Sequence, residues 1–158
     1  MKKYILRRKQ VIPRSLEEVF VFFSHPENLT RITPADMGFS ILTPLPIAMK
    51  SGALIDYTIR VLGVSLRWTT LITTYDPPRC FVDEQIRGPY SFWHHRHYFN
   101  ATDAGTEVLD EVHYALPGGV LAPLAHALFV RRALKRIFDH RAQIIAQEFS
   151  TRGAGEMV

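Results

Sequence analysis

Apolar and polar residues alternate with a period of two over most of this chain, and change to a helical period near the start and over the final third. Tyr4–Pro13 mixes apolar with basic positions and ends at proline, which predicts a first strand. Ser15-Leu16-Glu17-Glu18 has capping-box spacing, so a short helix carrying Val19, Phe20, Phe22 and Phe23 is expected after it. Ser24-His25-Pro26-Glu27 repeats the signal with proline in the first turn, predicting a second short helix to Ile32, stopped by Thr33-Pro34.

Strands are then predicted at Phe39–Thr43, Ala53–Leu62, Ser65–Tyr75, Cys80–Arg87, Ser91–Asn100 and Thr106–Leu116. The turns between them, Leu62-Gly63, Asp76-Pro77-Pro78, Gly88-Pro89 and Asp103-Ala104-Gly105, are short enough to favour consecutive antiparallel hairpins. After Pro117-Gly118-Gly119, Ala122-Pro123 opens a helix of about 27 residues, roughly 40 Å long. One long and two short helices cannot cover both faces of seven strands in a doubly wound arrangement. The expected fold is therefore α+β of the helix-grip type, a curved antiparallel sheet around a long C-terminal helix with a cavity between them. Residues 1–149 are read as one ligand-binding domain and 150–158, small and polar, as a flexible tail.

Residues two apart on a strand share a face. One set holds Tyr57, Trp68, Thr70, Phe81, Asp83 and Gln85, then Trp93, His95, His97 and Phe99, then Asp110 and Tyr114. The other holds Arg67, Glu84, His94, Arg96, Glu111 and His113, whose charges can pair across strands in water. The aromatic set is read as the interior. Tight hairpins would align Thr70, Asp83, His95 and Asp110 in one transverse row, with His97 replacing His95 if the last hairpin slips by two residues. On the terminal helix, Val130, Leu134, Ile137, Phe138, Ile145 and Phe149 form the apolar face and Arg141 falls inside its arc. Its guanidinium either meets a ligand oxygen or reaches an acid at the rim.

Composition narrows the partners. A length of 158 residues with 47% hydrophobic and 22% charged positions suits one globular domain with room for a pocket. The net charge of +4 and pI near 9.4 arise from basic residues spread along the chain without a recognition motif, so no nucleic-acid partner is expected. The densest cluster, Arg131, Arg132, Lys135 and Arg136, reads as a solvated helix face able at most to touch an anionic membrane surface weakly. The N-terminal apolar run stops at Leu6, short of a signal-peptide core, and no stretch is long enough to span a bilayer; a cytoplasmic monomer is expected. Cys80 has no partner for a disulfide or a zinc site and reads as a small strand residue. No metal-ligand set is visible, and neither metal nor cofactor is expected.

The chain resembles the START-like or SRPBCC superfamily over about residues 4–149, nearest its small bacterial polyketide cyclase/dehydrase-like members. The likeness rests on His25-Pro26-Glu27-Asn28-Leu29 with Ile32-Thr33-Pro34, and on Trp68-Thr69-Thr70 followed by Pro77-Pro78-Arg79-Cys80-Phe81-Val82-Asp83-Glu84-Gln85. It continues through Gly88-Pro89-Tyr90, Trp93-His94-His95-Arg96-His97-Tyr98-Phe99, Asp110-Glu111-Val112-His113-Tyr114-Ala115-Leu116-Pro117 and Ile137-Phe138-Asp139-His140-Arg141. The resemblance implies the same helix-grip fold and a cavity for hydrophobic or aromatic molecules, on which some members act as enzymes.

Three functions follow as expectations. The first is binding of a lipid- or polyketide-like molecule, with Tyr57, Trp68, Phe81, Trp93, Phe99 and Tyr114 as the apolar lining, His95, His97 and Asp83 orienting the ligand, and Thr70, Gln85 and Arg141 as further contacts. The second is a cyclase, dehydratase or isomerase with His95 as general base, oriented by Asp110 or Asp83. The third is a lipid or quinone chaperone working at a membrane surface.

Overall fold

β1 (Lys3–Ile12), β2 (Ser40–Ile41), β3 (Leu54–Val61), β4 (Val64–Asp76), β5 (Cys80–Arg87), β6 (Phe92–Thr102) and β7 (Gly105–Ala115) form one antiparallel sheet. Their spatial order is β1-β7-β6-β5-β4-β3-β2. The structure is a computed structural model describing residues 1–61 and 63–153. β1 closes on β7, so the sheet's two halves meet the helices inserted between β1 and β2. The edge strand β2 is shorter than predicted because Leu42 and Thr43 both donate to the Asp56 carbonyl, which ends the regular ladder.

α1 (Leu16–Phe23) starts on the predicted capping box: the Glu18 backbone donates to Ser15 Oγ at 3.3 Å, and the Ser15 backbone donates to Glu18 Oε2 at 3.3 Å. The second box does not form. Ser24 is spent on closing α1, its hydroxyl donating to the Val21 carbonyl at 3.2 Å. A 3₁₀ turn at Pro26–Asn28 therefore leads into α2 (Leu29–Ile32) without a side-chain cap.

The terminal helix runs through α3 (Ala122–Ala125), a π-helical segment at His126–Val130 and α4 (Arg131–Gly153). The long helix read from the periodicity is thus present, with its π-helical segment at a point where His126 stacks on Tyr4 with ring centroids 3.5 Å apart and meets the Tyr114 hydroxyl at 2.9 Å. Helix also continues past residue 150, where a tail was expected; 154–158 of that tail lie outside the described residues. No helix among the described residues is long and apolar enough to cross a membrane.

Register is what carries the sheet into the site. Asp83 stands opposite His95, as expected. Asp110 stands opposite His97 and not His95, because β6 and β7 close on a two-residue turn with Thr102 paired to Gly105. Thr70 stands opposite Gln85 and not Asp83: the β4–β5 turn encloses three residues between the paired Asp76 and Cys80, and a register shift follows between Ile72 and Thr74.

Burial follows the alternation. Arg96 is exposed, and Glu111 on the same outer face pairs with Arg7 at 2.7 Å, while Trp93, His95, Phe99, Val112 and Tyr114 are buried. Two apolar clusters fill the grip. One joins α1, Phe81, Phe99 and Val108 to Ile145 and Phe149 of α4; the other joins Trp68, Trp93, Val112 and Tyr114 to Leu134 and Phe138. The polar stretch His95–His97 of β6 lies between them.

Candidate functional site

A cavity of 710 Å³ lies between the sheet and the terminal helix. Its sheet wall carries Tyr57, Trp68, Thr70, Phe81 and Trp93, and its helix wall carries Leu134, Ile137, Phe138 and Arg141. Exposed Arg60 of β3, exposed Gly63 of the β3–β4 connection and exposed Phe129 and Ala133 of the helix also line it, so it reaches the surface there.

Asp83, His95 and His97 are the acidic and imidazole groups of the sheet wall, with Asp110 directly behind them. His95 Nε2 is 3.0 Å from Asp110 Oδ1, and its Nδ1 is 3.4 Å from Asp83 Oδ2. His97 Nε2 is 2.9 Å from Asp83 Oδ2. His97 Nδ1 also comes within 2.9 Å of Asp110 Oδ1, but off the line of a good hydrogen bond, so that contact is mainly electrostatic. Each imidazole is therefore held between the same two carboxylates. Apolar rings close round them: Phe81 stacks on His97 at 4.1 Å, and Phe138 meets His95 edge-on at 5.8 Å.

Burial opposes charge on all four groups, and proximity decides which keep it. Burial resists ionising Asp110, but the hydrogen bond from His95 and the close approach of His97 outweigh it and hold the carboxyl well below the ordinary range. Asp83 is lowered in the same way, against burial, by His95 and His97 and by the more distant Arg141. Burial also disfavours a proton on His97, yet contact with Asp110 and Asp83 raises its pKa, whereas burial and the charge on His97 lower that of His95. The contacts thus favour a proton on His97 over one on His95 and keep Asp83 and Asp110 as carboxylates. Tyr57, pushed up by burial, stays a neutral phenol sharing a hydrogen bond with Thr70 at 3.3 Å.

No family model matches the chain, and no curated protein does. Solved structures do match it in shape. The Zhui aromatase/cyclase of Streptomyces sp. R1128 superposes with a TM-score of 0.76 at 15% identity, over 98% of this chain and 99% of that one. A protein of Thermus thermophilus gives 0.75 at 14% identity, over 94% and 99%. The major latex-like protein 151 of Panax ginseng gives 0.68 at 12% identity, over 93% and 97%. This chain has the helix-grip fold.

Within that helix-grip fold the expected site residues divide. Tyr57, Trp68, Thr70, Phe81, Asp83, Trp93, His95, His97 and Arg141 line the cavity. Gln85, Phe99, Tyr114 and Asp110 do not. Gln85 turns away because its amide brackets the β5–β6 turn, donating to the Tyr90 carbonyl at 2.7 Å and accepting from the Tyr90 backbone at 3.2 Å. Gly88 makes room for it, since a Cβ there would lie 2.4 Å from Gln85 Oε1. Phe99 is taken by Phe20 and Phe23 of α1, and Tyr114 by Tyr4 and His126. Tyr90, Phe39, Met37 and Phe129 line the cavity without having been singled out. Tyr90 stood in the quoted Gly88-Pro89-Tyr90 motif, but the others lie in loop, short edge and helix where period-two alternation gives no signal. Arg141 stacks on Phe138 at 5.0 Å, and its Nε is buried without an acceptor among the described residues. Of the basic helix cluster, Arg136 pairs with Asp36 at 2.9 Å and Lys135 with Asp139 at 2.5 Å, as befits a solvated face.

Proposed function

We propose that the protein binds a hydrophobic or aromatic small molecule, lipid- or polyketide-like, in the cavity between sheet and terminal helix. The observation that carries this reading is a 710 Å³ space walled mainly by aromatic and aliphatic side chains, with the buried His95 and His97, Asp83 and Arg141 among its polar groups. Such a wall favours a flat apolar body with one polar end. Trp68 Nε1 and Arg141 Nε are buried donors without an acceptor among the described residues, so that end is expected to carry a carbonyl or carboxylate oxygen. Purified protein should be stripped with organic solvent and its thermal unfolding followed as the extract is returned. At about a hundredfold excess over Kd the midpoint is expected to rise by roughly 5–10 °C. An extract without effect, from protein that still folds, removes the reading.

A second reading is a cyclase, dehydratase or isomerase, favoured by the neutral His95 that faces the cavity and hydrogen-bonds Asp110 behind it. His95 would take a proton from a carbon next to the ligand carbonyl, and Asp110 would hold the imidazole in place. One structure sharing the fold is an aromatase/cyclase, which supports the same chemistry. With a turned-over substrate in hand, His95→Ala is expected to reduce kcat about 10²–10⁴-fold while leaving ligand affinity near wild type. Equal loss of affinity and of folding would assign His95 to the architecture alone.

A further inference from the structure

The spacing His95-Arg96-His97 puts two imidazoles on one face of β6, and the β5 register sets Asp83 opposite the first of them. One ligand atom from each of Asp83, His95 and His97 falls within 4.8 Å of the others. We propose that these three residues bind one divalent transition-metal ion of the zinc, cobalt or iron class, open to the cavity and backed by Asp110.

Both separations from the carboxylate fit a shared ion. Asp83 Oδ2 is 3.4 Å from His95 Nδ1 and 2.9 Å from His97 Nε2. With metal–ligand bonds of about 2.0–2.1 Å, two ligand atoms stand roughly 2.9 Å apart at a right angle and roughly 3.4 Å apart at a tetrahedral one. The opposite nitrogens, His95 Nε2 and His97 Nδ1, both face Asp110 Oδ1, at 3.0 and 2.9 Å. A neutral imidazole has one N–H and one lone pair. With the N–H groups turned to Asp110, both lone pairs point at the Asp83 carboxylate, and three electron-rich atoms converge with nothing positive among them. A proton relieves one of those contacts, but a divalent ion satisfies all three donors. The ion's charge also balances the two carboxylates, as buried charge requires. Asp110 then has the role of the outer carboxylate that fixes a ligating imidazole's tautomer and orientation.

The donor set selects the class of ion. Two imidazoles and one carboxylate suit zinc, cobalt and iron, whereas magnesium and calcium require mostly oxygen ligands. Asp83, His95 and His97 line the cavity and Asp110 does not, so the unfilled coordination positions face the space where a ligand oxygen or water would bind. An ion held there also occupies the His95 lone pair, so metal uptake and use of His95 as a general base exclude one another in the same molecule.

The test is a Co(II) titration of the full chain after chelator treatment and solvent extraction. Expected are one equivalent bound, a visible ligand-field spectrum bleached by Zn(II), and no competition from Mg(II) or Ca(II). Asp83→Asn and His97→Gln should abolish stoichiometric uptake, and Asp110→Asn should weaken it about 10–100-fold. His113→Ala is the control, because His113–Glu111 and His94–Glu84 form a second imidazole–carboxylate group on the solvent face. If a site variant does not fold, NMR of the wild-type Co(II) protein decides through two hyperfine-shifted imidazole N–H signals. Absence of uptake by the wild type, or uptake lost in His113→Ala and kept in Asp83→Asn, overturns the proposal. Because the titration is run without organic ligand and the extract is returned without metal, failure of one leaves the other standing.

Discussion

Asp110→Ala is expected to destabilise the metal-free protein by about 3–5 kcal/mol, as removal of one partner from a buried charged group does. The carboxylate is 7% exposed and contacts His95 and His97, themselves 4% and 5% exposed. Without it, one carboxylate remains for two buried imidazoles, and His97 loses one of the two partners that raise its pKa. Against a typical total of about 5–15 kcal/mol that is a large fraction, and the thermal midpoint should fall by roughly 6–20 °C. Arg7→Ala is the comparison: Arg7 pairs with Glu111 at 2.7 Å but is 65% exposed, so its loss should cost less than about 1 kcal/mol. The pH dependence follows from the sign of the shift. Asp110 is held below its ordinary range, so its contribution is full above about pH 4 and is lost as pH falls through its folded-state value. The gap between wild type and Asp110→Ala should therefore narrow in acid, and it should also narrow as pH rises through the folded-state value of His97, whose pKa Asp110 raises. Urea unfolding of both proteins across that range measures it, and a gap under about 1 kcal/mol at neutral pH would mean that the cluster is hydrated.

The cluster also marks where sequence reasoning reaches its limit. That His95, His97 and Asp110 share a face follows from parity, a property of each strand alone, and all three are buried. Which carboxylate faces which imidazole depends on the turns. A two-residue turn between Thr102 and Gly105 moved Asp110 opposite His97, and the three-residue turn and bulge between β4 and β5 moved Thr70 away from Asp83. Neither shift has a hydrophobic signature, because a slip of two residues leaves every side chain on its face. Asp83 opposite His95 was legible from the turn, but the metal-capable trio was not, because the approach of His97 to the same carboxylate is a side-chain distance that no spacing gives. Arg141 was legible from the helix, since an arginine inside an apolar arc must meet something buried, and it lines the cavity.

Parity also has a cost, shown by Phe99, which shares the inner face with Trp93, His95 and His97 but does not reach the cavity. The inner face of β6 passes beneath two layers in turn. Near Trp93 it faces the cavity and α4; near Phe99 it faces α1, with Phe20 at 5.2 Å and Phe23 at 5.3 Å, both edge-on. Phe99 is 1% exposed, so Phe99→Ala removes a filled ring position from the α1 cluster and is expected to cost about 3–5 kcal/mol. Ligand affinity of the molecules that remain folded should stay near wild type, because no wall of the cavity is removed. Urea unfolding gives the first quantity; the thermal shift on returning the extract, measured where Phe99→Ala is still fully folded, gives the second. Lost response to the extract with unchanged stability would reverse the assignment and put Phe99 on the cavity wall. The expected pattern instead separates the two halves of the grip. The end held by α1 is filled by packed rings, and the end beside Leu134 and Phe138 keeps an open space next to its buried polar groups.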